Sequence, residues 1–263
     1  MKEIDTIVVT GVGPVSSLGI GDEKFWSALV DGQTGTRRLT RLDRPANACR
    51  VAAQIDEIEP PDLTAPRPVP RSMQLARRAA TLAWKDAGSP AAGSATGLVV
   101  GSGLGHLDLV EHAGRDIATG TMLSPVVAFR GFHHATACEL SREFEIGGPI
   151  ETVSSGCNSG ADAIGTALDW LRLGKVERVL VGGTEAELNE TFFEAMESSR
   201  AFATQFNDEP GAASRPFDTR RDGNVPGEGA GFLVLESVES ARQRGAPVRA
   251  VMSGFACRAS GAR

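Results

Sequence analysis

Apolar residues along this chain fall into two alternating patterns. Short, continuously apolar or β-branched runs read as buried strands: Ile7-Val8-Val9, Gly97-Leu98-Val99-Val100, Ile150-Glu151-Thr152-Val153, Arg178-Val179-Leu180-Val181 and Gly231 to Glu236. Between them lie segments whose apolar positions recur at helical spacing. The clearest is Arg71 to Ala87, where Met73, Leu75, Ala76, Ala79, Ala80, Ala83 and Trp84 share a face and Gly88 closes the helix. Weaker helical patterns run from Glu23 to Val30 behind Asp22, from Leu107 to about Ile117, and from Gly131 to Phe144. Another covers Ala161 to Leu173 through Ala161, Ile164, Leu168 and Leu171. Ser237 caps a helix reaching Arg244, and Val248 to Phe255 reads as a last strand. Strands alternating with helices predict an α/β architecture in which much of the sheet is parallel.

Two stretches break the alternation. Thr34 to Pro70 is proline-rich and irregular, a surface excursion with one short strand around Val51-Ala52-Ala53. Ser214 to Gly229 is polar and rich in Gly and Pro. Glycine is frequent, and the pattern places it at strand ends, in turns such as Gly11-Val12-Gly13-Pro14 and Gly101-Ser102-Gly103-Leu104-Gly105.

Composition narrows the function classes. The 263 residues suffice for one large domain or two small ones, and 41% hydrophobic with 23% charged residues is ordinary for a soluble globular protein. A net charge of -6 with no basic stripe argues against nucleic acid as a partner. Cys49, Cys138, Cys157 and Cys257 stand far apart without metal-ligand spacing, which suggests reduced thiols in a cytoplasmic setting. No apolar run spans a bilayer, and Met1-Lys2-Glu3 leads into a strand rather than a signal peptide. Neither glycine turn has the GxGxxG spacing, no GxxxxGK[ST] occurs, and His106, His112, His133 and His134 lack a zinc-like arrangement, so no bound nucleotide or metal is expected.

The candidate chemistry lies in Ser154-Ser155-Gly156-Cys157-Asn158-Ser159-Gly160. A cysteine on a Gly-flanked strand-to-helix turn has its sulfur near the positive end of a helix dipole, which favours the nucleophilic thiolate. Small neighbours let an acyl group approach the backbone. A buried structural cysteine is the bland alternative. No Gly-x-Ser-x-Gly elbow occurs, and no histidine follows His134, so a Cys/His pair needs one of the four upstream histidines.

Taken in order, the motifs Thr10-Gly11-Val12-Gly13, Gly101 to Gly105, Gly148-Pro149 before Thr152 to Gly160, Gly182-Gly183-Thr184-Glu185-Ala186, Arg215-Pro216-Phe217-Asp218 through Arg221-Asp222-Gly223, and Gly227-Glu228-Gly229-Ala230-Gly231 resemble the N-terminal half of a β-ketoacyl-acyl-carrier-protein synthase. The resemblance to this thiolase-superfamily enzyme runs from about Ile7 to Cys257. It implies the N-terminal half of a thiolase fold, a βαβαβαββ layer, with residues 1–263 forming a single domain that ends just inside the second half. Cys157 matches the family's nucleophile, which takes an acyl group from the phosphopantetheine of an acyl carrier protein. Its backbone N–H serves as one oxyanion donor, and no cofactor is bound. A malonyl-carrier protein then decarboxylates and its carbanion attacks the thioester, in fatty-acid or type II polyketide synthesis.

The departures from the family pattern are Asn158 after the nucleophile, His106 where glycine is common and Asn224 where Phe is usual. With Gly105 and His134 these are the candidate substrate-binding residues. His133 and His134 fall where the family approaches its pocket and dimer interface, with surface packing as the plainer role. The family's decarboxylating histidines belong to its second half. The resemblance therefore implies a complementary C-terminal-half polypeptide as partner, a dimer of such pairs, and a large apolar face awaiting cover. Two alternatives stay open: a non-condensing subunit that shapes a pocket or binds carrier protein, and an acyltransferase-like use of Cys157 without condensation.

Overall fold

The computed structural model describes residues 6–259 and Gly261; the reading of Met1-Lys2-Glu3 lies outside them. The strands are β1 (Ile7–Ser16), β2 (Gly19–Ile20), β3 (Arg37–Arg38), β4 (Val51–Ala52), β5 (Thr96–Gly101), β6 (Ile150–Val153), β7 (Arg178–Ala186), β8 (Glu228–Ser237) and β9 (Ala250–Met252). The helices are α1 (Asp22–Val30), α2 (Arg71–Asp86), α3 (Leu107–Thr119), α4 (Val127–Arg130), α5 (His134–Glu143), α6 (Ser159–Arg172), α7 (Glu190–Ser198) and α8 (Val238–Gln243). Among the described residues one seven-stranded sheet has the order β2-β1-β8-β7-β5-β6, with β9 also on β1. The main strands and the helices between them follow βαβαβαββ order: β1, α2, β5, α5, β6, α6, β7, β8.

Only part of the sheet is parallel. β5 pairs parallel with β6 and with β7, whereas β8 lies antiparallel between β7 and β1. The expected parallel character holds for that three-strand ladder and fails beyond it. Strands buried on both faces read as the same apolar runs whichever way they pair, so their direction is not written in them.

Alternating side chains split the core into two layers. Leu98, Val100, Leu180 and Val234 face α2 and α5, packing on Leu75, Ala79, Ala83 and Leu140. Val99, Val179, Val181 and Leu235 face α6 and pack on Ala163, Ala167 and Leu168. The irregular excursion forms a third cluster, in which Val51, Ala52 and Cys49 of its small β3–β4 hairpin meet Phe193 of α7 and Phe202.

Several elements differ from expectation. β1 does not end at Thr10 but continues through Gly11-Val12-Gly13-Pro14, paired with β8. A Cβ at Gly11 would lie 2.1 Å from the Ala83 carbonyl oxygen, and one at Gly13 would lie 2.0 Å from that of Ala79. These glycines are the bare track on which α2 rides, not a turn. β7 likewise runs through Gly182-Gly183, where a Cβ at Gly182 would meet the Gly231 carbonyl oxygen at 2.1 Å. The helix expected over Gly131 to Phe144 is two helices, α4 and α5, broken at Gly131-Phe132-His133. α7 lies in a segment for which no element was expected.

Glu236 anchors the far end of β8. Its carboxylate is fully buried and accepts from Thr10 Oγ1 at 2.6 Å, Arg244 Nη2 at 2.5 Å and Ser240 Oγ at 2.9 Å, with Arg178 Nε 3.4 Å away. Burial pushes this acid up, but the donors and the Arg178 charge outweigh it and hold it below the usual glutamate range. A depressed carboxylate contributes stability above its unfolded value and loses it as pH falls through the folded one. Urea midpoints measured downward from pH 6 will therefore fall more steeply below about pH 4 in the parent than in Glu236→Gln; parallel curves would refute this.

Candidate active site

The turn after β6 is built by small residues. Gly156 adopts φ 71°, a left-handed conformation that glycine takes without strain. Ser159 Oγ accepts from the Ser155 N–H at 3.0 Å and donates to the Gly156 carbonyl at 2.6 Å, closing the 3-10 turn Gly156–Asn158 on the start of α6. Ser155 Oγ donates to Asp162 in the first turn of α6. Cys157 sits in this turn with its side chain exposed, beside the N-terminus of a fourteen-residue helix. Cys257 is also exposed, while Cys49 fits the structural reading, being buried with its thiol on the Val51 carbonyl.

The helix start presses directly on the sheet. A Cβ at Gly101, the last residue of β5, would lie 2.3 Å from the Ser159 carbonyl oxygen and 2.6 Å from Gly160 N. A Cβ at Gly183 of β7 would lie 3.0 Å from the Gly160 Cα. Three bare glycines therefore set the height of the nucleophile above the sheet.

A cavity of about 360 Å³ opens beside Cys157, walled by Ser102, Thr184, Glu185, Glu187 and the glycines of β5, β7 and β8. Glu185 accepts from the Gly103 N–H at 2.6 Å, the Leu104 N–H at 3.3 Å and Ser102 Oγ at 3.1 Å, so it ties down the loop after β5. Burial pushes its carboxyl up, against the pull of those donors. Glu187 is pushed up to about 7, by burial and then by the neighbouring Glu185.

The residues singled out as substrate-binding are scattered. Asn158 is exposed at the N-cap of α6 and makes no side-chain capping bond. Gly105, at φ 68°, lies against the His133 ring and donates its N–H to Ser102 Oγ at 3.0 Å. His106 does not face the cavity. It is 3% exposed, with Nδ1 2.8 Å from Ser72 Oγ and Nε2 3.2 Å from Thr136 Oγ1. Ser72 donates to the Gly105 carbonyl, so Nδ1 carries the proton and Nε2 accepts from Thr136. Burial first, then the charges of His133, His134 and Arg130, lower its pKa to about 4. His106 is a neutral strut between α2 and α5. His134 instead lines a separate groove of about 430 Å³ with Arg130, Cys138 and Arg142, its ring stacked 6.2 Å from that of Phe132. Asn224 is exposed on a loop pinned to the chain after α7, donating to the Ala201 carbonyl at 2.7 Å.

Glu187 escaped the sequence reading, while Glu185 entered it only within a motif. Their i, i+2 spacing on extended chain was the available signal, since it sends both side chains to one face.

The opposite end of the sheet carries the expected uncovered surface. A groove of about 1140 Å³ lies over the face that α6 leaves free, lined by Val9, Val12, Phe25, Trp26, Ile164 and Leu233. No helix among the described residues is long and apolar enough to cross a membrane.

Residues 5–241 match the family described as "Beta-ketoacyl synthase, N-terminal domain". The 3-oxoacyl-[acyl-carrier-protein] synthase 2 of Rhizobium meliloti is 35% identical over 95% of this chain and 63% of its own length. The tetracenomycin polyketide synthase ketoacyl synthase alpha subunit of Streptomyces glaucescens is 34% identical over 97% of this chain and 63% of its own. A crystal structure of a beta-ketoacyl synthase from Burkholderia phymatum superposes with a TM-score of 0.86 at 33% identity, covering 98% of this chain and 65% of that one. The chain thus spans somewhat under two thirds of these relatives. With the βαβαβαββ layer and the Cys157 turn already in place, these matches assign the chain to the β-ketoacyl synthase family, as its N-terminal domain.

Proposed function

We propose that this chain carries the nucleophile of a β-ketoacyl-acyl-carrier-protein synthase, with Cys157 accepting an acyl group from carrier-protein phosphopantetheine. The observation that carries the reading is the exposed Cys157 at the foot of α6, seated on bare glycines beside an open cavity. The thiolate attacks the thioester carbonyl, the negative charge passes to its oxygen, and the pantetheine sulfur leaves as the new thioester forms. The Cys157 backbone N–H is the oxyanion donor in this reading, and such a donor is worth about 3–4 kcal/mol. The positive end of α6 favours the anionic sulfur.

Condensation needs more than this layer holds. In our reading a partner polypeptide bearing the remaining half of the fold covers the apolar groove over Val12, Trp26 and Leu233 and brings the decarboxylating histidines. An apolar surface of this kind favours a permanent partner. The Streptomyces relative is itself described as an alpha subunit, which is in keeping with a subunit role.

Acyl-carrier protein incubated with this chain, alone and with a candidate C-terminal half, tests the assignment by mass spectrometry. An acyl increment on Cys157, absent from Cys157→Ala, is expected. No adduct in any combination overturns the nucleophile assignment. An adduct that gives no condensed product after malonyl-carrier protein is added, even with the partner, refutes the condensing role and leaves acyl transfer alone.

A further inference from the structure

Two carboxyl groups share the cavity with Cys157, and their surroundings divide their roles. Glu185 is committed, holding two backbone N–H groups and the Ser102 hydroxyl. Glu187, two residues further on, has a half-buried side chain that accepts no hydrogen bond among the described residues. The charges around it are readily named. Glu185 lies beside it on the same strand face. His133, at the start of α5, sits over Gly103 with Nε2 3.2 Å from that carbonyl and acts on Glu185. Glu228, opposite Ala186 in the β7–β8 ladder, is neutralised by Arg41 and Arg71. Gly229 to Gly231 of β8 bring no charge, and the 3-10 turn contributes only the Cys157 thiol.

We propose that Glu187 acts on Cys157 as a neutral carboxyl, and that its ionisation suppresses the thiolate and so silences the nucleophile. A second anion in a small, partly desolvated cavity opposes the first, because like charges there are poorly screened. An anion at Glu187 also opposes the oxyanion of the tetrahedral intermediate, whereas a carboxyl hydroxyl can donate to it, as neutral acids do in other sites. Burial and Glu185 lift the Glu187 carboxyl to about 7, so the change of state falls near neutrality. The consequence for acyl transfer rests on Cys157 being the acyl-accepting residue; the effect on the thiol does not.

Alkylation by iodoacetamide, read by mass spectrometry at Cys157 with N-acetylcysteine in the same tube as reference, tests the inference on the whole chain. Between pH 6 and 8.5 the Cys157-to-reference rate ratio will fall about tenfold in the parent, the change that one pKa unit of the thiol produces. In Glu187→Gln, which keeps the shape and a donor, the ratio will stay flat, and Glu187→Ala will be flat as well. A ratio in both variants that falls as in the parent overturns the proposal. Acyl loading measured on the same samples separates the two readings. Loading at Cys157 with unchanged pH dependence in both variants defeats only the role of Glu187. A flattened ratio without any loading supports that role and defeats only the acyl-accepting role of Cys157.

Discussion

Glu228→Ala will lower the stability of this domain by roughly 3–5 kcal/mol, the usual result of removing one partner from a buried ion pair. The Glu228 carboxylate has no exposed surface and holds both Arg71, at 2.9 Å and 3.0 Å, and Arg41, at 2.5 Å, while also accepting the Ile55 N–H at 2.8 Å. Arg71 reaches on to the carbonyls of Ile55, Ile58 and Glu59, so the cluster fastens the irregular excursion and the start of α2 to the first residue of β8. Without Glu228 two guanidinium groups remain in the interior with no counter-charge. Glu228→Gln keeps the volume and one acceptor and will lose less. Urea unfolding with both variants checks this, and a shift under 1 kcal/mol for Glu228→Ala would exclude a structural role for the cluster.

Gly101→Ala will reduce acyl loading of Cys157 by about 100-fold, the loss that a shift of order 1 Å in a reacting group produces, while lowering stability by only about 1–3 kcal/mol. The added methyl would sit 2.3 Å from the Ser159 carbonyl and 2.4 Å from its carbon. Both are backbone atoms of the first turn of α6, which cannot rotate aside as a side chain would. The helix start must lift, and Cys157 lifts with it, away from the cavity that the acyl group enters. Gly114→Ala is the matching control, because a Cβ there meets nothing within 4 Å. Loading kinetics of the two folded variants decide the matter; equal rates would show that Cys157 tolerates displacement of α6.

Much of this arrangement was legible beforehand, and the exceptions share a cause. The apolar spacing of Met73, Leu75, Ala76, Ala79, Ala80 and Ala83 fits α2 and its buried face, because local periodicity and core burial agree there. The cap at Ser237 appears as expected, its side chain accepting from the Ser240 N–H at 3.1 Å. The glycines of Gly11-Val12-Gly13 and Gly182-Gly183 read as turns, since glycine most often marks one. In the fold they are strand residues whose missing side chains admit Ala79, Ala83 and Gly231. Close approach of distant backbones leaves no local signature. His106 illustrates the same limit: its departure from the family pattern suggested a substrate contact, and its neighbours Ser72 and Thr136, 34 and 30 residues away, make it a buried strut.

By itself the sequence determined the alternation of strands and helices, the strand–turn–helix that presents Cys157, and the family motifs, all of which are properties of contiguous residues. The tertiary structure alone decided that β8 inserts antiparallel between β7 and β1, that bare glycines seat α6, and that Glu185 and Glu187 share the cavity of Cys157. Those features arise where segments far apart in the chain are packed together, and sterics and desolvation act on distance in space rather than on distance along the chain.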